Sequence, residues 1–449
     1  MAPVAGSGAR AVRRAMFPLG LLFFATGIAV ALVSPFLSLF LSTAVRAGPV
    51  RVIVFLFVAP LSGVLAATLI GRLSDRRPVR RALLIGAAVA GVLGAGFTAF
   101  VRDYWVLLGL AVTMTAAAGS LFPQSFAYAR QVLSAAGSGR AAMGISSLRT
   151  VFSFAWVTGP PLAAALLSWG GFDYLYGTAA VMYALAALVA LTALREVAAP
   201  VPAAPVPAVP GPAVPGPEQP SAAAQPATGP PPASRWTLLP SAAAFTMLQC
   251  PLTLAVQALP LFIERDLGGR ATDAGPILGL CAALEIPLML GFGVLAARIG
   301  VRALLLAGAG CGVAYYTLAT AAPAIWVLAV GQVVDAAFIA AVSGLGISYM
   351  QDMLPDSPGR ATTLFTNSFP VGAMLAGPLF GLAERFGLRL AYGMSAALCA
   401  CGLLALLAVR PPGRPSGDPA AGPSPAAGSA PVGERAGRYG ERPPLLPDR

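Results

Sequence analysis

The chain has no lysine and no histidine, and only 10% of its 449 residues are charged. Without imidazole, any proton chemistry near neutral pH falls to carboxylates. So little charge, beside 57% hydrophobic residues and a mean hydropathy of +0.78, excludes a soluble globular protein and makes this a polytopic membrane protein. Cysteine is scarce too. Cys250, Cys281, Cys311, Cys399 and Cys401 all lie inside apolar runs, where they read as small buried hydrophobes and not as disulfides or metal ligands. No nucleophile constellation, metal-ligand set or soluble catalytic domain is present, so neither an enzyme nor a metal or other cofactor is expected. The net charge of +12 is carried entirely by arginine, in short loops and tails. That placement suits membrane topology and anionic lipid, and no nucleic-acid partner is expected.

What is present is organised around a short basic turn, G-R-L-S-D-R-R-P-V-R-R, from Gly71 to Arg81. It separates two long apolar runs. Gly71, Leu73, Arg76 and Arg80 find equivalents in Gly293, Leu295, Arg298 and Arg302 at one constant offset, which indicates a duplicated membrane protein. Six apolar runs, about 16–41, 50–71, 82–101, 104–129, 141–167 and 174–194, are each long enough to span hydrocarbon. Six more follow at about 236–263, 274–297, 302–321, 324–350, 361–383 and 388–409. The first exceeds a signal-peptide core and is kept as a span. The expected domains are an N-terminal six-helix bundle (1–194), a Pro/Ala-rich cytoplasmic linker (195–235), a C-terminal six-helix bundle (236–409) and a cytoplasmic tail (410–449). The composition of linker and tail predicts extended, unpacked chain.

Orientation follows from the arginines. With the N-terminus inside, the cytoplasmic segments carry 21 of them and the outer segments seven, with Arg149 inside a helix. Without the tail the bias is still 15 to seven, so both termini and the linker are expected on the cytoplasmic side.

Twelve helices in two halves, a central cytoplasmic linker and this turn together resemble the major facilitator superfamily. The family signature between helices 2 and 3 is filled by Gly71, Leu73, Asp75, Arg76, Arg80 and Arg81, and Ala297 replaces the aspartate in the second copy. The resemblance implies that Asp75 and its arginines form a cytoplasmic latch favouring one access state, with Asp75 near the positive N-terminal end of helix 11 and Gly71 admitting a close backbone approach. The competing reading is a loop that only sets topology. Gly159-Pro160-Pro161 in helix 5, followed by Ala163 and Ala164, looks like the Gly-Pro step of antiporters and exporters in the same superfamily. Such a step bends a helix at the interface between halves, or is an ordinary transmembrane kink.

Arg149, Glu285 and Asp335 are the ionisable residues well inside apolar runs. A charge at bilayer centre costs at least about 2.5–3.5 kcal/mol, so they should face a wet cavity or one another. Glu285 or Asp335 is expected to carry a coupling proton, with Arg149 as counter-charge; a static ion pair is the alternative. Around them Gln124, Trp156, Gln249, Gln257, Tyr315, Tyr316, Gln332, Ser343 and Asn367 offer the amides, hydroxyls and aromatic faces that an uncharged polyol needs.

A narrower resemblance spans both halves. Ser34–Leu41, Leu121–Arg130, Ser146–Ala163, Leu284–Pro287, Gln351–Pro355 and Ala361–Ser368 look like bacterial sugar efflux transporters. Arg149, Trp156, Glu285, Gln351, Asp352 and Asn367 fall on that pattern, whereas Asp335 stands where the pattern leads one to expect an amide. The resemblance implies a monomeric exporter of sugars or glycosides in the cytoplasmic membrane, working by alternating access in exchange for protons. A proton-driven multidrug exporter of the same fold, an uncoupled facilitator, and a membrane enzyme or receptor are the competing readings.

Overall fold

The computed structural model describes residues 5–77, 79–134, 138–196, 235–354 and 357–409. Most of the expected linker and all of the expected tail lie outside the described residues. The described chain is helical throughout. α1 runs over Ala5–Val33 and continues through a 3-10 turn, Ser34–Phe36, into a π-helical turn, Phe40–Ala44. Pro35 cannot donate a backbone hydrogen bond, which explains why regular α geometry ends there. α2 (Pro49–Arg76) starts with proline in its first turn, and α3 covers Arg80–Phe100. α4 begins at Tyr104, where Oδ1 of Asp103 accepts from the N–H groups of Trp105 and Val106, each at 3.0 Å. It passes through a π-helical turn, Ala111–Thr115, and ends with Leu121–Ser134.

The next helical stretch, Ser138–Thr192, is broken at Gly170 and Gly171, the latter at φ +67°, and so forms α5 and α6. This break falls between the fifth and sixth apolar runs of the sequence. α7 (Arg235–Asp266), α8 (Ala274–Ile299), α9 (Val301–Thr320), α10 (Ile325–Met353), α11 (Pro358–Phe386) and α12 (Arg389–Ala408) complete the order. Gly300 at φ +92° and Gly387 at φ +120° turn the chain where a residue with a side chain would be strained. Ten stretches among the described residues are long and apolar enough to cross a membrane, and one of them, Met143–Thr192, holds both α5 and α6. α11 is outside the ten; Pro370, Pro378 and its polar N-terminal half dilute its apolar character.

Consecutive helices alternate in direction, so the bundle has a basic end, carrying the Gly71–Arg81 turn, and an opposite end. Trp105, Trp169 and Trp326, all at least 66% exposed, sit at that opposite end, as an interfacial aromatic belt requires. The buried core is divided. One cluster crosses both halves near the opposite end, through Phe40, Phe55, Ala164, Phe262 and Phe380, and runs on through the C-terminal half to Met353 and Leu406 at its basic end. The other, with Leu22, Leu84, Leu121, Leu148 and Val189, is confined to the N-terminal half near the basic end.

Candidate functional site

The halves are sealed together at the end away from the basic turn. A Cβ on Gly275 or Gly279 of α8 would sit 2.6 Å from Ala164 Cβ or Pro161 Cγ of α5. One on Gly377 of α11 would lie 2.9 Å from the Leu56 backbone of α2. Only glycine permits these approaches. The Gly-Pro step thus lies where α5 meets α8, while Gly159 itself packs on Ala31 of α1. Polar ties complete the seal. Ser38 Oγ donates to the Gln257 carbonyl at 2.5 Å, and Ser42 Oγ donates to Glu384 Oε1 at 2.8 Å. Arg265 approaches the same Oε1 at 3.9 Å.

Toward the basic end the same helices part. Nothing lies within 4 Å of a Cβ built on Gly63, Gly71, Gly291 or Gly293, and Leu290 and Val294 are each 71% exposed. The expected close approach at Gly71 is therefore absent in this conformation, because the halves have separated there. The side chain of Asp75 lies outside the described residues, and Arg76 is exposed. Arg80 donates to Ser74 Oγ at 2.8 Å, to the Ala127 carbonyl at 3.2 Å and to Gln131 Oε1 at 3.1 Å, so it joins the turn to the end of α4. Arg81 donates to the carbonyls of Ala190 (3.3 Å) and Leu191 (2.6 Å) at the end of α6. In the second half Arg302 donates to the carbonyls of Leu406, Leu407 and Val409 at the end of α12, at 3.3, 3.1 and 3.0 Å. Spatially Arg302 thus matches Arg81, one residue away from the sequence equivalence with Arg80. Its turn, the single residue Gly300, is shorter than the loop before α3.

The residues predicted to handle substrate separate into two groups. Arg149 on α5 and Asn367 on α11 are exposed, and Trp156 on α5 and Glu285 on α8 are half-buried. The Arg149 charge acts on the Glu285 carboxylate without forming a close ion pair. Gln124 and Gln249 are buried instead. Gln249 Nε2 bonds to Ser368 Oγ inside the C-terminal half, and Gln124 Oε1 has no partner. Gln257 is half-buried, and its backbone belongs to the seal.

Asp335 does not meet Arg149 in the cleft. It lies inside the C-terminal half on α10, 8% exposed, where Cys281 Sγ approaches its Oδ2 at 3.8 Å. Tyr315, Tyr316 and Gln332 lie there too, buried, with Gln332 Nε2 donating to Tyr315 Oη at 2.7 Å. Sequence reasoning missed Glu384, whose side chain is only 8% exposed and which ties the two halves.

A carboxylate and a guanidinium at mid-depth, between halves closed at one end, can bind and release a polar solute and move a charge with it. The family model "Major Facilitator Superfamily" matches residues 19–316 and 243–446. Sugar efflux transporter A of Dickeya chrysanthemi is 34% identical over 383 residues, covering 84% of this chain and 92% of that protein. Sugar efflux transporter B of Salmonella typhimurium is 33% identical over 366 residues, covering 81% and 87%. A multi-drug resistance efflux pump PmrA homolog of Lactococcus lactis matches at 29% over 182 residues, covering 40% of this chain and 44% of that protein. Among solved structures the nucleoside transporter NupG superposes with a TM-score of 0.67 at 13% identity, covering 88% of this chain and 98% of NupG. This chain is thus a multi-pass membrane transporter that belongs to the major facilitator superfamily and, within it, to the family of bacterial sugar efflux transporters.

Proposed function

We propose that the protein exports sugars or glycosides across the cytoplasmic membrane by alternating access, in exchange for protons. The observation that supports this reading is that Arg149, Trp156, Glu285 and Asn367, all at mid-depth, are none of them buried, in a chain whose relatives over most of its length are named sugar efflux transporters. An indole face and amide groups suit a polyol, and a carboxylate beside a guanidinium suits a proton. In the cycle, sugar enters from the basic end, the arginine bias placing that end and both termini in the cytoplasm. The two bundles, 1–194 and 236–409, then rock about the site. The Gly71 turn closes on α11 while the Gly275–Gly377 seal opens outward. A proton taken up by Glu285 from outside removes the carboxylate's pull on Arg149 and returns the carrier. Gln124, Gln249 and Gln257 join the substrate shell as the helices shift, and the carrier works as a monomer in contact with anionic lipid.

The multidrug reading rests on the Lactococcus lactis match, which reaches less than half of the chain. Both readings meet in one experiment. Labelled lactose, glucose and a thiogalactoside are offered to inside-out vesicles, with and without a proton gradient, with a cationic dye as competitor. Gradient-driven sugar uptake indifferent to the dye, and lost in Glu285→Gln with the protein still folded, is the expected result. Dye movement without sugar movement would replace the sugar reading with the drug one, and an unchanged gradient response in Glu285→Gln would remove Glu285 from coupling.

A further inference from the structure

A second polar site lies inside the C-terminal half, between α7, α9, α10 and α12. Its cavity of about 30 Å³ holds a guest of water size and is far too small for a sugar ring. Asp335 and Gln332 of α10, Tyr315 and Tyr316 of α9 and Tyr392 of α12 supply its polar wall, and α7 contributes Val256. Two of these oxygens are buried with no hydrogen-bond partner, Asp335 Oδ1 and Gln332 Oε1. They belong to side chains only 8% and 1% exposed. Pro260 has no N–H to give the Val256 carbonyl one turn back, so that carbonyl lacks its usual helical donor.

The groups that act on Asp335 are Cys281 and Glu285 of α8, the tyrosines, and Cys399 of α12; no arginine is among them. Cys281 and Tyr316 offer donors to the carboxylate, yet Asp335 Oδ1 and Gln332 Oε1 stay unpaired, and an ionised Asp335 has no cation beside it. Water would satisfy the two oxygens and leave the charge. A proton on Asp335 would cancel the charge and serve Gln332 Oε1 only if the carboxyl hydroxyl points at it. A small metal cation does both at once.

We propose that this cavity binds one Na⁺, held by Asp335 and Gln332 with the tyrosine hydroxyls of the lining around it. Sodium would enter past Glu285, four residues from Cys281 on the same helix, so that cation occupancy and the cleft carboxylate share one local field. The inference does not depend on which solute is exported.

The test is equilibrium binding of radiolabelled Na⁺ to the purified full-length protein in detergent at about pH 8.5, where protons compete little with a carboxylate. Saturable binding displaced by unlabelled Na⁺ or Li⁺ but not by choline is expected. Asp335→Asn should weaken it by at least about tenfold. Gln332→Leu, which keeps the charge and removes one oxygen, provides the same reading if the aspartate variant fails to fold, and size-exclusion elution checks both. Absence of saturable binding in the wild type, or binding unchanged in these variants, overturns the proposal. So does binding lost in Glu285→Gln and retained in Asp335→Asn, which would place the ion in the cleft.

Discussion

The two ends of helices α2, α5, α8 and α11 are built from the same small residues and behave in opposite ways. At the sealed end, Gly275, Gly279 and Gly377 are pressed against the other half so closely that no side chain fits. At the basic end, Gly63, Gly71, Gly291 and Gly293 have nothing beside them. A glycine inside a helix is costly in conformational entropy, and at the basic end no contact in this conformation offsets that cost. The difference teaches that the open-end glycines make sense as contact surfaces of another arrangement of the same helices. That is the structural support for alternating access.

The comparison can be broken by one substitution made at both ends. Gly275→Ala drives a Cβ against Pro160 and Ala164 and should cost about 1–3 kcal/mol of stability, with cysteines near Ser42 becoming reactive as the seal loosens. Gly293→Ala meets nothing, so it should raise stability by about 0.5–1 kcal/mol and yet slow sugar export, because the closed basic end needs that space. Equal thermal shifts of one sign at both positions would end the argument from the glycines. Next in size is Glu384→Gln. Replacing the acceptor of Ser42 and Arg265 should bias the seal toward opening by about 1–2 kcal/mol, read as faster labelling of a cysteine at position 38. Labelling that stays at the wild-type rate would leave the seal to packing alone. Smallest is the paired change Arg81→Ala and Arg302→Ala. Each removes a cation from a helix C-terminus and should cost about 1 kcal/mol or less, in the half where it sits, by urea titration of helicity. A shift common to both halves would mean that the halves do not fold as separate units.

Much of this was legible in the sequence, and the exceptions have physical causes. Twelve apolar runs gave the helices, and the α5–α6 break falls inside the short gap that contains Gly170 and Gly171. The face that each residue occupies was harder to read. α10 is apolar on every side, so no periodicity could reveal that Gln332 and Asp335 point into their own half and away from the cleft. Arg149 was placed correctly in a helix, but its distance from Asp335 depends on how two bundles dock. Glu384 escaped notice because a carboxylate near a helix end reads as an interfacial residue. Its partners, Ser42 and Arg265, come from the ends of α1 and α7 and carry no motif. Arg302 matched Arg80 by spacing and Arg81 by contact, since a turn shortened by glycine moves the register by one residue.

The two arginine clamps also bear on how the chain is made. Arg81 holds carbonyls up to 110 positions later, and Arg302 holds carbonyls 104 to 107 positions later. In each half a residue synthesised early waits for the last helix of that half to be inserted. The first bundle can therefore lock while the second is still on the ribosome, and the order of synthesis becomes the order of assembly.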